Sequence, residues 1–280
     1  MASYRRRKRR ATDTTMRFIL LLSICPALFL ACQGNSASSV QTVGTPLPDQ
    51  LPTDAKPPAI SISDLNCWVE KSNFFVIGLC NNESNEWQKI SLRMDPLDGT
   101  GQALQLTQGA ENTFLVLADA VPPRGRSSFF AYWPLSSFAG VPDSAHISGA
   151  GAVTVPAGPI LIAEQQSGVK MRSGASSAPD AVETRWLASV VLSNPLQIQA
   201  VHPKAELLLY GTDKRLWMST ILDPEDPTQQ DILTFERRGP MAPGEKRQLS
   251  CYISYDNLPT QLQALKIGRV AFLPFEGRKK

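Results

Sequence analysis

Histidine is scarce in this sequence of 280 residues, which contains only His146 and His202. The two stand far apart, and neither has the pattern of cysteine or carboxylate neighbours that metal ligands show. A zinc site needs three or four protein ligands of this kind, and a serine hydrolase needs a histidine base beside its nucleophile. We therefore predict no metal site, no cofactor, no catalytic residues and no enzymatic activity.

A persistent excess of basic residues is also missing, although the whole chain has a net charge of +3. Seven of the 28 basic residues and one of the 25 acidic residues precede Cys32, so the rest of the chain has 21 basic and 24 acidic side chains. Binding of nucleic acid usually requires a concentrated basic face. The chain after Cys32 is mildly acidic, and we predict no nucleic-acid partner.

Long apolar runs are absent except for the fourteen residues from Phe18 to Ala31, which follow a basic segment. A helix that spans a bilayer needs about 20 apolar residues, so this shorter run is typical of an export signal. We predict that residues 1–31 form a signal peptide. The basic cluster Arg6 to Arg10 is either an extension of that signal or lies upstream of a translation start at Met16.

The end of the apolar run resembles the lipobox of bacterial lipoproteins, because Leu28-Phe-Leu-Ala31 leads directly into Cys32. The resemblance implies that Cys32 becomes the first residue and carries diacylglycerol on its thiol, with a further chain such as palmitate on its amine. Two or more acyl chains hold a protein stably on a membrane. The expected location is extracytoplasmic, on the cell membrane or the outer membrane.

Residues 33–58 are rich in Ser, Thr, Pro, Asp and Gln. Such a segment cannot bury enough apolar surface to offset the entropy lost on ordering, and its prolines favour extended conformations. We predict that residues 32–58 are the lipidated cysteine followed by a disordered tether.

Beyond Pro58 the pattern is one of short strands. In the segment from Lys89 to Met94, polar and apolar residues alternate, which predicts that Ile90, Leu92 and Met94 face a core. A turn is expected at 95–99, with Gly99 at positive φ. The other predicted strands are 60–62, 73–79, 103–106, 113–117, 127–133, 146–155, 186–194, 205–211, 248–255 and 266–273.

The second half of the chain repeats the layout of the first. Two strands end in Asn, at Asn81 and Asn194, and the turn Val121 to Gly125 has a counterpart in Met241 to Glu245. Short strands at this spacing, separated by Pro and Gly turns, are typical of an immunoglobulin-like β-sandwich. The sequence therefore predicts an all-β fold of two tandem antiparallel sandwich domains, 59–156 and 157–280.

This order of strands and turns is similar to the FxLyD-type extracellular bacterial modules, a family named for a Phe-x-Leu-Tyr-Asp signature. The segment Leu207 to Gly211 keeps the Leu and Tyr of that signature. The resemblance implies an immunoglobulin-like fold and no catalytic residues.

Three cysteines remain after Cys32. In an oxidising compartment Cys67 and Cys80 form a candidate disulfide that closes a loop of twelve residues, which would stabilise the fold by about 3 kcal/mol. The alternative is that both are reduced core residues. Cys251 is then unpaired, and we expect it to be buried.

Five tryptophans provide either large core side chains or, if some project outward, a stacking surface for sugars. Taken together, the sequence predicts a noncatalytic lipid-anchored envelope protein whose two modules bind a protein or polysaccharide partner or act as a spacer in an assembly. The alternative is an accessory or solute-binding lipoprotein of a transport or enzyme complex, with a small ligand between the modules near 164–183.

Overall fold

Antiparallel β-strands make up nearly all of the regular structure. The computed structural model describes residues 59–107, 110–172, 184–229, 232–254 and 258–277, which belong to one compact unit. The strands are β1 (Ile60–Glu70), β2 (Asn73–Asn82), β3 (Gln88–Leu97), β4 (Thr113–Leu115), β5 (Arg126–Pro134), β6 (Ser144–Thr154), β7 (Ile162–Arg172), β8 (Thr184–Ser193), β9 (Pro203–Gly211), β10 (Leu216–Leu222), β11 (Leu233–Phe235), β12 (Lys246–Ser254) and β13 (Ile267–Glu276). A short helix, α1 (Thr260–Leu265), precedes β13. The predicted signal peptide, Cys32 and the predicted tether lie outside the described residues.

The described residues form four sheets, which we call sheet I (β4-β3-β6), sheet II (β1-β2-β5), sheet III (β10-β9-β13) and sheet IV (β11-β12-β8-β7). Sheets I and II contain strands that precede residue 157, and sheets III and IV contain strands that follow it. We call the first pair of sheets the first sandwich and the second pair the second sandwich.

The core of the first sandwich follows the predicted alternation. Ile90, Leu92 and Met94 of β3 have no exposed surface and pack against Phe74 and Phe129 of sheet II. The prediction that these three side chains face a core is confirmed. Burial of each such side chain contributes about 1.5–3 kcal/mol relative to leaving it in water.

The strand order confirms the predicted immunoglobulin-like sandwiches. Sheet II has the order of strands A, B and E of that fold, and sheet I has the order of C′, C and F. The second sandwich repeats it, with β7-β8-β12 in place of β1-β2-β5 and β10-β9-β13 in place of β4-β3-β6. It adds β11 beside β12, at the position of strand D. The two halves of the chain therefore have the same topology.

Equivalent asparagines make the same contacts in both sandwiches. The side-chain amide of Asn82 donates to the backbone oxygens of Glu86, Val121 and Pro122. That of Asn194 donates to the backbone oxygens of Ile198, Met241 and Ala242. The repeat therefore pairs Asn194 with Asn82, one residue beyond the Asn81 suggested by the sequence.

Strand β2, in the middle of sheet II, is buried on both of its faces. One face of β2 packs into the first sandwich through Phe74 and Val76. The other face, with Phe75, Ile77 and Leu79, joins the core of the second sandwich. Sheet II therefore lies against sheet III, and its outer face is part of the apolar core of the second sandwich.

Several connections differ from the sequence prediction. Strand β3 continues to Leu97, so the turn that follows spans 98–102, and Gly101 rather than Gly99 has positive φ, at 82°. Residues 103–106 contribute only the isolated bridges at Ala103 and Leu106. Within the described residues no helix is long and apolar enough to cross a membrane.

Candidate functional site at the junction of the sandwiches

The expected disulfide is not formed, and the strand register gives the reason. Cys67 of β1 is paired with Val76, whereas Cys80 of β2 is paired with Ile62. Four residues of β2 separate these positions, which corresponds to about 13 Å, and a disulfide requires Cα atoms about 4.4–6.8 Å apart. Both cysteines are free thiols. The register therefore corrects the candidate pairing of Cys67 and Cys80.

The thiols are in surroundings that disfavour the thiolate. Burial raises the pKa of Cys67 to about 11, and it raises the pKa values of Cys80 and Cys251 to about 12. Cys251 is a free, buried residue, as expected. A nucleophilic cysteine needs a lowered pKa, so these three thiols are structural core groups.

The histidines lie in different sandwiches. His146 is an exposed residue of β6. Nδ1 of His202 lies 3.2 Å from a carboxylate oxygen of Glu225. Among the residues that the structure describes, no group of three or more His, Cys, Asp and Glu side chains could hold a metal ion.

A cluster of polar side chains is buried where sheets II and III meet. Glu206 of β9 is fully buried between the sandwiches. Its Oε1 accepts a hydrogen bond from Oγ of Ser127 at 2.5 Å, and its Oε2 accepts bonds from the N–H and Oγ of Ser128 at 2.7 and 2.5 Å. Oγ of Ser128 is also 2.7 Å from Oγ of Ser219 in β10. These contacts tie the two sandwiches together at one end of β5.

All of these hydrogen-bond partners of Glu206 are neutral. Burial raises the pKa of Glu206 to about 7, against the opposing effect of the hydrogen bonds from Ser127 and Ser128. A buried carboxylate without a positive partner is costly. The charge state of the junction therefore changes near neutral pH.

An aromatic cluster forms the other end of the junction. The ring of Trp68 lies 5.3 Å from that of Phe75 and 5.3 Å from that of Trp217 in β10. Beside it, Phe130 and Tyr132 of β5 pack on Phe75 but are 37% and 42% exposed. We call Phe130 and Tyr132 the aromatic shelf.

The tryptophan side chains do not form the exposed aromatic surface. Trp68, Trp87, Trp133 and Trp217 are buried, and Trp186 is partly buried. Of the two interpretations of the tryptophans, the structure therefore favours large core side chains. An exposed aromatic surface does occur, but it consists of Phe130 and Tyr132.

A cleft of about 540 Å³ opens at the junction, beside the polar cluster. It is lined from the first sandwich by Asn81, Ala118 and Pro122 to Arg126, and from the second by Ile160, Leu161, Glu206 and Leu273 to Phe275. Its volume is within the usual range for small-molecule sites, about 300–1,000 Å³. The cleft is not where the sequence suggested a ligand, because 162–172 form β7 and 173–183 lie outside the described residues.

Sequence reasoning did not single out Glu206 or Arg124. The signal for Glu206 was present, since it is the one acidic residue in the otherwise apolar run Ala205 to Leu209. Arg124 lies in a turn that the internal repeat identified. The local sequence does not indicate which side of this turn the second sandwich packs against.

Comparisons with known proteins leave the family open. No protein-family model matches the chain, and no curated protein matches it. The solved structures that match include a transglutaminase of red sea bream, with a TM-score of 0.21 and 14% sequence identity. The match covers 71% of this chain and 27% of the enzyme's chain, so this chain spans about a quarter of that protein.

Proposed function

We propose that this chain is a noncatalytic lipid-anchored envelope protein, which presents its two sandwiches as one rigid body to a protein or polysaccharide partner or as a spacer in an assembly. The observation that carries the proposal is the shared core of sheets II and III. Residues from both sandwiches, including Ile77 and Leu208, belong to a single buried cluster. Domains joined in this way do not move freely against each other, which suits presentation at a fixed distance from a surface.

The anchor in this proposal is the acylated Cys32. Its support is the lipobox-like sequence that precedes it. The tether at 33–58 separates the anchor from the first strand and would hold the body away from the lipid surface.

The aromatic shelf supports contact with a partner. Exposed aromatic rings contribute large contact areas and are enriched in binding surfaces. Phe130 and Tyr132 have ring centres 6.3 Å apart, and both rings pack against Phe75 of the neighbouring strand β2. Two neighbouring rings on a rigid strand can stack on consecutive sugar units or on apolar side chains of a protein.

We predict that Phe130→Ala combined with Tyr132→Ala lowers partner binding about tenfold or more, because each ring contributes about 1 kcal/mol. Binding to polysaccharide is measured by co-sedimentation with purified peptidoglycan sacculi. Binding to protein is measured in cells by photo-crosslinking from position 132. Tyr252→Ala is the matched control, since Tyr252 is 41% exposed on β12 and far from the shelf in sequence.

The expected result is a partner that depends on the shelf and is unaffected by Tyr252→Ala. The proposal fails if sacculi are not bound and position 132 gives no crosslink that position 252 lacks. It also fails if the doubly substituted chain binds as well as the parent.

A second candidate function is that of a solute-binding or accessory lipoprotein. The junction cleft favours it, since ligand sites occur preferentially between domains. The cleft has a mixed lining, with Arg124 and Arg126 on one side and Ile160 and Phe275 on the other.

A further inference from the structure

The turns that precede β5 and β12 share two backbone hydrogen bonds. In the first sandwich, the N–H of Gly125 donates to the oxygen of Pro122, and the N–H of Asn82 donates to the oxygen of Gly125. In the second sandwich, the N–H of Glu245 donates to Ala242, and that of Asn194 donates to Glu245. The turns are therefore equivalent, and Arg124 occupies the position of Gly244.

Arg124 is held in a conformation that favours glycine. Its φ is 57°, in the left-handed region, and Gly244 has a φ of 75° at the same place. A residue with a Cβ is strained there, whereas glycine is not. A strained conformation of this kind persists only where the surrounding contacts stabilise it, and such conformations are concentrated at functional sites. The second sandwich shows that the turn can form with glycine, so the turn itself does not require the arginine.

The two turns also differ in charge. In the second sandwich, Lys246 lies 2.6 Å from Glu164, and Arg247 lies 2.5 Å from Glu245, so the positive charges are neutralised locally. In the first sandwich, Arg124 has a looser contact with Glu83, at 3.8 Å, and its side chain is 64% exposed. Ion pairs this exposed contribute little to stability and are easily exchanged for another partner. The positive charge of Arg124, in the turn of the first sandwich, is therefore available to a ligand.

That charge is placed at the rim of a cleft with an apolar wall. Ile160 is 40% exposed, and Leu161 and Phe275 are almost completely buried beside it. Glu206 also contributes to the lining but has no exposed surface. The exposed carboxylate beside Arg124 is that of Glu83, and its contact of 3.8 Å is loose enough for an anion to replace it. The accessible chemistry is therefore a pair of guanidinium groups beside apolar side chains.

We propose that this cleft binds a small organic anion, with its carboxylate or phosphate group held by Arg124 and Arg126. The apolar part of the anion packs on Ile160, Leu273 and Pro274, which line the cleft and have exposed surface. Guanidinium groups recognise both anionic groups through paired N–H donors. The volume of the cleft suits a small molecule rather than a polymer. This inference rests on the second candidate function and names the ligand class of its cleft.

The test is calorimetric titration of the full chain carrying Cys32→Ser, which removes the acylation site and leaves every described residue unchanged. The probes are hexanoate, phenyl phosphate and hexanamide, the last being an uncharged analogue of hexanoate. Hexanoate and phenyl phosphate are expected to bind, and hexanamide is expected to bind at least about tenfold more weakly, since a charged hydrogen bond is lost.

Arg124→Gly tests the site without disturbing the turn, because it introduces the residue that the second sandwich has there. We expect it to weaken binding of both anions about tenfold or more, and Arg126→Gln provides a second test within β5. Arg93→Ala is the matched control, because the side chain of Arg93 is 62% exposed on sheet I and should not affect binding.

The inference is overturned if neither anion binds, if hexanamide binds as tightly as hexanoate, or if Arg124→Gly binds as well as the control. Binding to vesicles that contain phosphatidylglycerol, without binding to the soluble anions, also overturns it. Failure here together with shelf-dependent binding of a partner would leave the first proposed function intact, so the two outcomes are distinguishable.

Discussion

Replacement of Trp217 with alanine is expected to lower the free energy of unfolding by about 3–5 kcal/mol, the usual cost of removing a buried tryptophan. Trp217 is 6% exposed, and its ring packs on Trp68 across the junction. Its indole N–H also donates to the carboxylate of Asp213, with both oxygens at 3.2 Å. Alanine would leave a cavity between sheets II and III and would leave that carboxylate without this donor.

The measurement is equilibrium unfolding in guanidinium chloride, followed by tryptophan fluorescence and by circular dichroism. Trp217→Phe separates packing from hydrogen bonding, since it keeps a ring and loses the N–H, and an intermediate loss is expected. Tyr252→Ala, at an exposed aromatic position, should cost less than about 1 kcal/mol. A loss in Trp217→Ala no larger than in Tyr252→Ala would show that the junction contributes little to stability.

The second large effect concerns pH. Burial raises the pKa of Glu206 from 4.5 to about 7 in the folded protein. A group whose pKa is raised on folding contributes stability that is fully present below its unfolded pKa and is lost as pH rises through its folded pKa. The free energy of unfolding should therefore fall by about 3 kcal/mol between pH 4.5 and pH 7, at 1.36 kcal/mol for each unit.

Other acidic residues make the free energy of unfolding rise with pH rather than fall, but they do so at lower pH. The pKa values of several carboxyl groups are lowered by hydrogen bonds, so the stability they contribute is lost as the pH falls below their ordinary range. These residues are Asp98, Glu164, Asp226 and Glu245. Their effect is separated from that of Glu206 because it is largely complete by about pH 5.

Glu206→Gln is the decisive variant for this effect. Glutamine does not ionise, and its amide can accept from the N–H of Ser128 and donate to Oγ of Ser127. Urea unfolding at pH 5 and pH 8 should give a large difference for the parent chain and almost none for this variant. Glu83→Gln, at an exposed acid, serves as the control and should behave like the parent. A pH dependence that survives in Glu206→Gln would assign the effect to another group.

Much of the fold could be predicted because the strands carry their own signals. The alternation in β3 identifies its buried face, and the turn at 121–125 reveals the repeat through its counterpart at 241–245. Strands β7 and β10 were missed for physical reasons. A bulge between Glu164 and Ser167 interrupts the alternation of β7, and β10 is a short segment without alternation, bounded at Leu216 and Leu222.

The register between β1 and β2 could not be derived from residue spacing. It is set by a two-residue turn in which Lys71 and Ser72 have positive φ values of 47° and 67°. Turns of this geometry are usually signalled by Asn-Gly or Asp-Gly, and neither occurs here. The spacing of Cys67 and Cys80 therefore suggested a disulfide that the register does not allow.

The sequence indicated that some strands are buried on both faces, but it did not indicate which of them contact each other at the junction. The run Phe74 to Leu79 is apolar on both sides of the strand, as is the run from Leu207 to Tyr210, and such runs are typical of strands buried on both faces. Which faces pack together depends on how the two sandwiches are stacked. The local pattern holds no information on that, so Glu206 and the cleft emerged only with the structure.

In the proposed function, the two-sandwich body is presented on a lipid anchor at Cys32. Mass spectrometry of the N-terminal peptide of the mature protein, purified from membranes of its own host, tests this anchor. We expect a peptide that begins at Cys32 and carries diacylglycerol on the thiol. An unmodified Cys32, or a mature chain that begins at another residue, would contradict it.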